Sequence, residues 1–141
     1  VILPDVNVLL YAFRGDSANH AACRTWLDSV VNGDEAYGMA PQVLASVVRI
    51  ATHPRIFASP SRLEDALRFA RVLLEQPTCN VISPGPRHFS IFENLCRQAR
   101  ATGNLVQDAW CAALAVESGC EWITTDGDYA RFPGLRWRRP I

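Results

Sequence analysis

The sequence predicts an α/β protein built on a mostly parallel sheet. Short apolar runs of strand type alternate along the whole chain with longer segments whose apolar residues recur at helical spacing. The 141 residues suit one domain spanning 1–141, and 49% of them are apolar, which favours a packed core over disorder. No repeat, low-complexity tract or linker interrupts the alternation, and strands separated by helices pair in parallel.

The elements follow in order. VIL at the start is a short strand ending at Pro4-Asp5, and NVLLYAF is a short helix or turn. SANHAACRTWLDSVVNG is helical, with Ser17 as its cap, Ala21, Ala22, Trp26, Leu27 and Val30 on one face, and Gly33 as its stop. AYGMA is a second strand. PQVLASVVRIATH carries proline in the first turn of a helix that ends before Pro54, and HPRIFASP is a loop. Ser61-Arg62-Leu63-Glu64 has the capping-box pattern and opens a helix through about Leu74. NVIS is a third strand, and PRHFSIFENLCRQARATG is a helix closed at Gly103. Asn104 is placed to cap LVQDAWCAALAVESG, which closes at Gly119. EWITT is a fourth strand and LRW a fifth.

Composition excludes several function classes. No apolar run approaches the ~20 residues of a membrane span, and no signal-peptide pattern precedes the first strand, so a cytoplasmic protein without a membrane partner is expected. The five cysteines (23, 79, 96, 111, 120) form no C-x-x-C pair and read as reduced, buried thiols. The formal net charge is zero, and every Lys/Arg cation is arginine. The scattered His20, His53 and His88 lack metal-ligand spacing, and neither a P-loop nor a G-x-G-x-x-G occurs. Trp26, Phe69, Phe89, Phe92 and Trp110 read as core.

The informative residues are acids at element ends, because parallel sheets gather functional groups just past the carboxyl ends of their strands. Asp5 follows the first strand, Asp126 and Asp128 follow the fourth in ITTDGDYA, and Asp108 is expected in the first turn of the helix leading into it. Singly, each has a structural explanation: Asp5 as a helix cap, Asp108 as a first-turn acid, D-G-D as turn chemistry. Together they converge and repel. With no lysine to offset them, a hard divalent cation, Mg2+ or Mn2+, is the natural counter-charge for oxygen ligands.

LPDVNVLLYAF, GNLVQDAWCAALAVESG and ITTDGDYARFPGLRW, in that order, resemble the PIN domain, in particular the VapC-type ribonuclease toxins of toxin–antitoxin pairs; RIATHPRIF and SPGPRHF resemble one subgroup of these toxins. The resemblance covers essentially the whole chain. It implies a five-stranded parallel sheet of order 3-2-1-4-5 sandwiched by helices. It implies a Mg2+- or Mn2+-dependent endoribonuclease that cuts structured RNA, tRNA or rRNA, by a metal-activated water. Carried onto this sequence, Asp5, Asp108 and Asp126 are the metal-binding acids, with Asp128 in or beside the cluster and Asn7 and Thr125 as supporting polar residues. The implied partners are a cognate antitoxin protein and a second copy of the chain in a homodimer. One position departs from the pattern: where L-x-E-x-x-R is usual, the chain reads LASVVR, so Ser46 stands in place of an acid. One well-held metal ion, with water or Ser46 filling the gap, is the expectation. RNA would meet the rim through Arg14, Arg49, Arg55 and the C-terminal arginines, Arg138 among them, with Trp137 as a stacking surface.

Of two rival classes, one fails and one remains. An aspartyl phosphatase or receiver domain needs a lysine beside the phosphate, and none exists; the phosphatase also needs an acid where the chain has Asn7. A catalytically weak or inert PIN-like domain that binds RNA or a protein partner is kept open by Ser46.

Overall fold

The computed structural model describes residues 1–141. Its first strand, β1 (Ile2–Pro4), runs into helix α1 (Val6–Phe13) through Asp5, and α2 (His20–Val31) follows. Next come β2 (Tyr37–Met39), α3 (Pro41–Ala51), α4 (Leu63–Glu75), β3 (Cys79–Val81), α5 (His88–Ala99) and α6 (Asn104–Ser118). Strand β4 (Glu121–Ile123), a short 3-10 helix (Gly127–Arg131) and β5 (Trp137–Arg138) complete the chain. No helix is long and apolar enough to cross a membrane.

All the strand pairs are parallel, as the alternation of elements predicts. The ladders form two pieces rather than one sheet of five. One has order β1-β4-β5, with Ile2 opposite Glu121 and Trp122 opposite Trp137; the other pairs β2 with β3. β2 nonetheless lies directly against β1. A Cβ on Gly38 would sit 3.2 Å from the Ile2 carbonyl oxygen and 2.9 Å from the Ile82 side chain. The seam is therefore made by close backbone packing at a glycine, without a ladder across it. Strands of two or three residues hold so few ladder bonds that a small displacement ends the pairing.

A single cluster of 29 buried residues fills the interior. Val8, Leu9 and Ala12 of α1 are fully buried, as are Tyr37 and Met39 of β2 and Trp122 and Ile123 of β4. Helices α2 and α3 each bury one stripe, Cys23-Trp26-Leu27 and Val43-Leu44-Val47-Ala51, at the spacing of an amphipathic helix. Helices α1 to α4 pack against one another, and α5 packs on α6. The Tyr37 hydroxyl donates to the Leu73 carbonyl (2.7 Å), which satisfies the polar end of a buried ring.

Several element ends differ from the sequence expectation for identifiable reasons. Ser17 does not cap α2; its hydroxyl accepts from Asn19 N (3.1 Å), closing a turn one step earlier. The capping box at Ser61 does not form, because Ser61 faces α1 and accepts from Arg14 (2.9 Å). Helix α5 ends at Arg100 in the left-handed region (φ 51°), ahead of Gly103, and Asn104 is the first residue of α6 rather than its cap. Phe89 is exposed, not core.

Substituting Gly38→Ala should destabilise the protein by about 1–3 kcal/mol, since a methyl there must displace backbone as well as the Ile82 side chain. Chemical denaturation of the purified variant measures this, and wild-type stability would show that the seam yields freely.

Candidate active site

Asp5 ends β1 and caps α1. Its Oδ1 accepts from Val6 N (2.6 Å) and its Oδ2 from the Thr124 hydroxyl (2.6 Å). Its own N–H donates to the Ile123 carbonyl (2.8 Å), which prolongs the β1–β4 ladder into the site. Only 6% of Asp5 is exposed. The Thr124 oxygen accepts in turn from Asp126 N (3.0 Å), so one buried hydroxyl ties the first acid to the loop that carries the third. Asp126 caps the 3-10 helix, its Oδ1 accepting from Asp128 N (2.9 Å).

Asp108 comes from α6, whose face at Asn104, Gln107, Asp108 and Cys111 turns toward the same cleft. It stands in the second turn of α6, because the helix begins at Asn104, so the helix dipole favours it less than a first-turn position would. The opposite wall is α3, through Gln42, Ser46 and Arg49. The cleft measures about 390 Å³, room for part of a polynucleotide strand.

The electrostatics are those of uncompensated acids. Burial pushes the Asp5 carboxyl up to about 6, and the charges of Asp108 and Asp126 push the same way against its hydrogen bonds. Asp108 is also raised, first by burial and then by Asp126. The Cys111 thiol, buried beside both, is driven up to about 12 and stays protonated, so it offers no thiolate. Tyr129, whose hydroxyl lies 3.4 Å from Asp108 Oδ1, is shifted upward by burial. Arg49 is the one cation of the lining, and no carboxylate lies within ion-pairing distance of it.

The donor set suits a hard divalent cation: three carboxylates in one cleft, with no thiolate or imidazole among them. The acids share the cleft without closing into a ready-made three-ligand cage.

Of the residues singled out from the sequence, Asp5, Asn7, Ser46, Arg49, Asp108 and Asp126 line this one cleft. Asp128 does not; it is exposed and contributes its backbone N–H to Asp126. The hydroxyl on Asp5 belongs to Thr124, whereas Thr125 gives its carbonyl to Arg139. Arg14 is consumed in structure: it pairs with Asp16 (2.7 Å), lies 3.7 Å over the Phe57 ring and donates to Ser59 and Ser61. Arg138 pairs with Glu121 (2.8 Å) and lines a separate cavity with Val1 and Asp34. Trp137 packs against the core. Ser46 donates back to the Gln42 carbonyl (3.2 Å) within its own helix. Sequence reasoning missed Thr124, Tyr129, Gln42, Asn104 and Gln107. The α6 residues had a signal, since they precede Asp108 by one and four positions.

The PIN domain profile matches residues 2–135. The chain belongs to the PIN domain family. Among its relatives, Ribonuclease VapC25 of Mycobacterium tuberculosis is 42% identical over 140 residues, covering 99% of both chains. Ribonuclease VapC31 of the same species is 41% identical over 99% of both, which places this PIN domain in the VapC branch. Among solved structures, VapBC2 from Rickettsia felis bound to a promoter DNA fragment superposes with a TM-score of 0.72 at 14% identity, over 98% of this chain and 97% of that one. The Mycobacterium tuberculosis toxin VapC20, described as cleaving the sarcin-ricin loop, gives 0.67 at 17% identity, over 96% and 99%. At those identities the superpositions show the fold alone.

Asp5 binds a proton more tightly folded than unfolded, so metal-free stability should fall as pH rises from about 4 to about 6. Asp5→Asn removes that burden. In EDTA its stability should therefore lose the decline that wild type shows between about pH 4 and about pH 6, on top of a pH-independent cost for the one hydrogen bond, from Val6 N or Thr124, that a single amide oxygen no longer accepts. Denaturation midpoints across pH would show it; the same pH slope in both proteins would mean that the buried carboxylate costs nothing.

Proposed function

We propose that the chain is a metal-dependent endoribonuclease, the toxin of a toxin–antitoxin pair, and that Asp5, Asp108 and Asp126 bind its metal. The observation that carries this is the meeting of three carboxylates from β1, α6 and the β4 loop in one cleft with no protein cation paired to them. The full-length identity to VapC ribonucleases supports it independently.

Mg2+ or Mn2+, when bound, supplies the charge that lets phosphate approach these acids and acidifies water for attack on phosphorus. Within this chain, Thr124 fixes the rotamer of Asp5 and the turn that presents Asp126. Asp108 faces the cleft from a helix rigidly packed on α5. Arg49, free of carboxylate partners, is the cation placed to meet a phosphate of the strand. Asn7 and Ser46 stand at the lining as polar neighbours, and Asp128 acts through its backbone on Asp126.

Structured RNA, tRNA or rRNA, is the proposed substrate; one relative in fold is described as cutting the sarcin-ricin loop. A cognate antitoxin is the proposed partner, since solved neighbours include toxin–antitoxin complexes. Residues 1–141 would act as one domain in a homodimer. Five free thiols support a cytoplasmic setting. The closeness of β2 to β1 supports reading the two ladder pieces as one interrupted sheet of order 3-2-1-4-5 in a three-layer α/β/α arrangement.

Purified protein with total RNA should give discrete fragments in Mg2+ or Mn2+ and none in EDTA. Asp108→Asn should lower cleavage by roughly a hundredfold or more with its melting curve intact. Full activity in that variant, or RNA binding without any cleavage by wild type, would leave the inert RNA-binding domain as the better reading.

Ser46 offers no negative charge, so calorimetric titration should find one well-held Mn2+ per chain, and Ser46→Glu should tighten binding or add a second ion. Two tight sites in wild type would contradict this.

A further inference from the structure

The α3 wall of the cleft carries a hydrogen-bond pattern that the acids do not use. Gln42, in the first turn of α3, is exposed, and its Oε1 accepts from the Trp110 indole N–H (2.8 Å) across the gap to α6. An indole nitrogen only donates, so the partner atom must be the amide oxygen, and the orientation of the carboxamide is settled. Its NH2 is left as a donor at the cleft lining, on the same helical face as Ser46 and Arg49. Gln42 and Arg49 thus present donors on the α3 wall of the cleft that Asp5, Asp108 and Asp126 also line.

Trp110 lies outside the cleft lining and is itself braced. Its ring meets His88 edge-on at 4.1 Å and Phe92 at 5.3 Å. His88 is 1% exposed, and its Nε2 lies 2.9 Å from the Trp110 carbonyl; a carbonyl only accepts, so Nε2 carries the proton. His88 lies within the SPGPRHF segment, which Glu117 of α6 pins by accepting from Gly85 N (2.7 Å) and Arg87 N (2.9 Å). A side chain on Gly85 would collide with that carboxylate. The motif has no other evident role at the site.

We infer that Gln42 contacts the substrate, its NH2 donating to an oxygen of the RNA strand beside the scissile phosphodiester, and that Trp110 is the positioning residue that fixes this orientation. The inference rests on RNA being the ligand of the cleft. The oxygen belongs to a phosphate or to a ribose hydroxyl.

The test is binding of a fluorescent RNA oligonucleotide, and of the DNA of the same sequence, in the Asp108→Asn background. Gln42→Ala should weaken RNA binding roughly five- to tenfold, the value of one hydrogen bond. An equal loss on DNA identifies a phosphate oxygen and a loss confined to RNA a ribose hydroxyl; both carry the proposal. Trp110→Phe keeps the ring and removes the N–H. It should weaken binding similarly alone and add nothing on top of Gln42→Ala, a non-additivity that a merely structural tryptophan would not show. Unchanged affinity in Gln42→Ala, or a Trp110→Phe effect that persists in full without Gln42, overturns the assignment. Because Gln42 is exposed, its alanine variant decides the matter even should Trp110→Phe unfold. Failure of wild type to cleave RNA in Mg2+ or Mn2+ would instead sink the nuclease reading, leaving the binding comparison intact.

Discussion

The site depends on keeping a buried carboxylate beside two others. Asp5 is almost without solvent, its ionised form is opposed by burial, and both neighbouring acids add to the cost. Two short hydrogen bonds, from Val6 N and Thr124, partly offset this and fix the carboxylate in one orientation. They also bind the ends of two strands and the start of a helix to one atom group. The same anion therefore serves as helix cap, sheet staple and candidate ligand, and its structural roles hold with or without a cation.

Parallel topology does the rest. Because β1 and β4 are neighbours running the same way, the residues just past their ends emerge side by side, although about 120 positions separate them in sequence. This is why the meeting of Asp5 and Asp126 in one cleft was legible in the sequence: strand ends in an alternating α/β chain are predictable places, whereas Asp108 arrives from the second turn of α6. The choice between Thr124 and Thr125 was not. It turns on strand register, since successive side chains point to opposite faces, and EWITT carries two threonines with nothing local to separate them.

The arginines were the least legible residues. Arg14 finds Phe57, Ser59 and Ser61 some 45 positions away, and the same contact removes Ser61 from the cap its local pattern announces. Tertiary partners thus overrode two local signals at once. Arg138 is taken up by Glu121 on the adjacent strand. Of the arginines expected to meet RNA, Arg49 alone faces the cleft, and the amides around it were invisible because Gln and Asn on a helix carry no pattern of their own. Nor did the resemblance foretell the break in the ladders between β1 and β2, where short strands and Gly38 decide the outcome.

That break lies beneath the cleft. The acids at the strand ends stand on the β1-β4-β5 piece, while Gln42, Ser46 and Arg49 ride on the helix that follows β2. No rung of the ladder crosses between the two pieces, so they are held together by packing, at Gly38, between α1 and α3 and through the shared core, rather than by sheet hydrogen bonds. The Trp110–Gln42 bond is a further tie across that seam, so the two halves of the lining are kept in register by packing and one side-chain hydrogen bond instead of a continuous ladder.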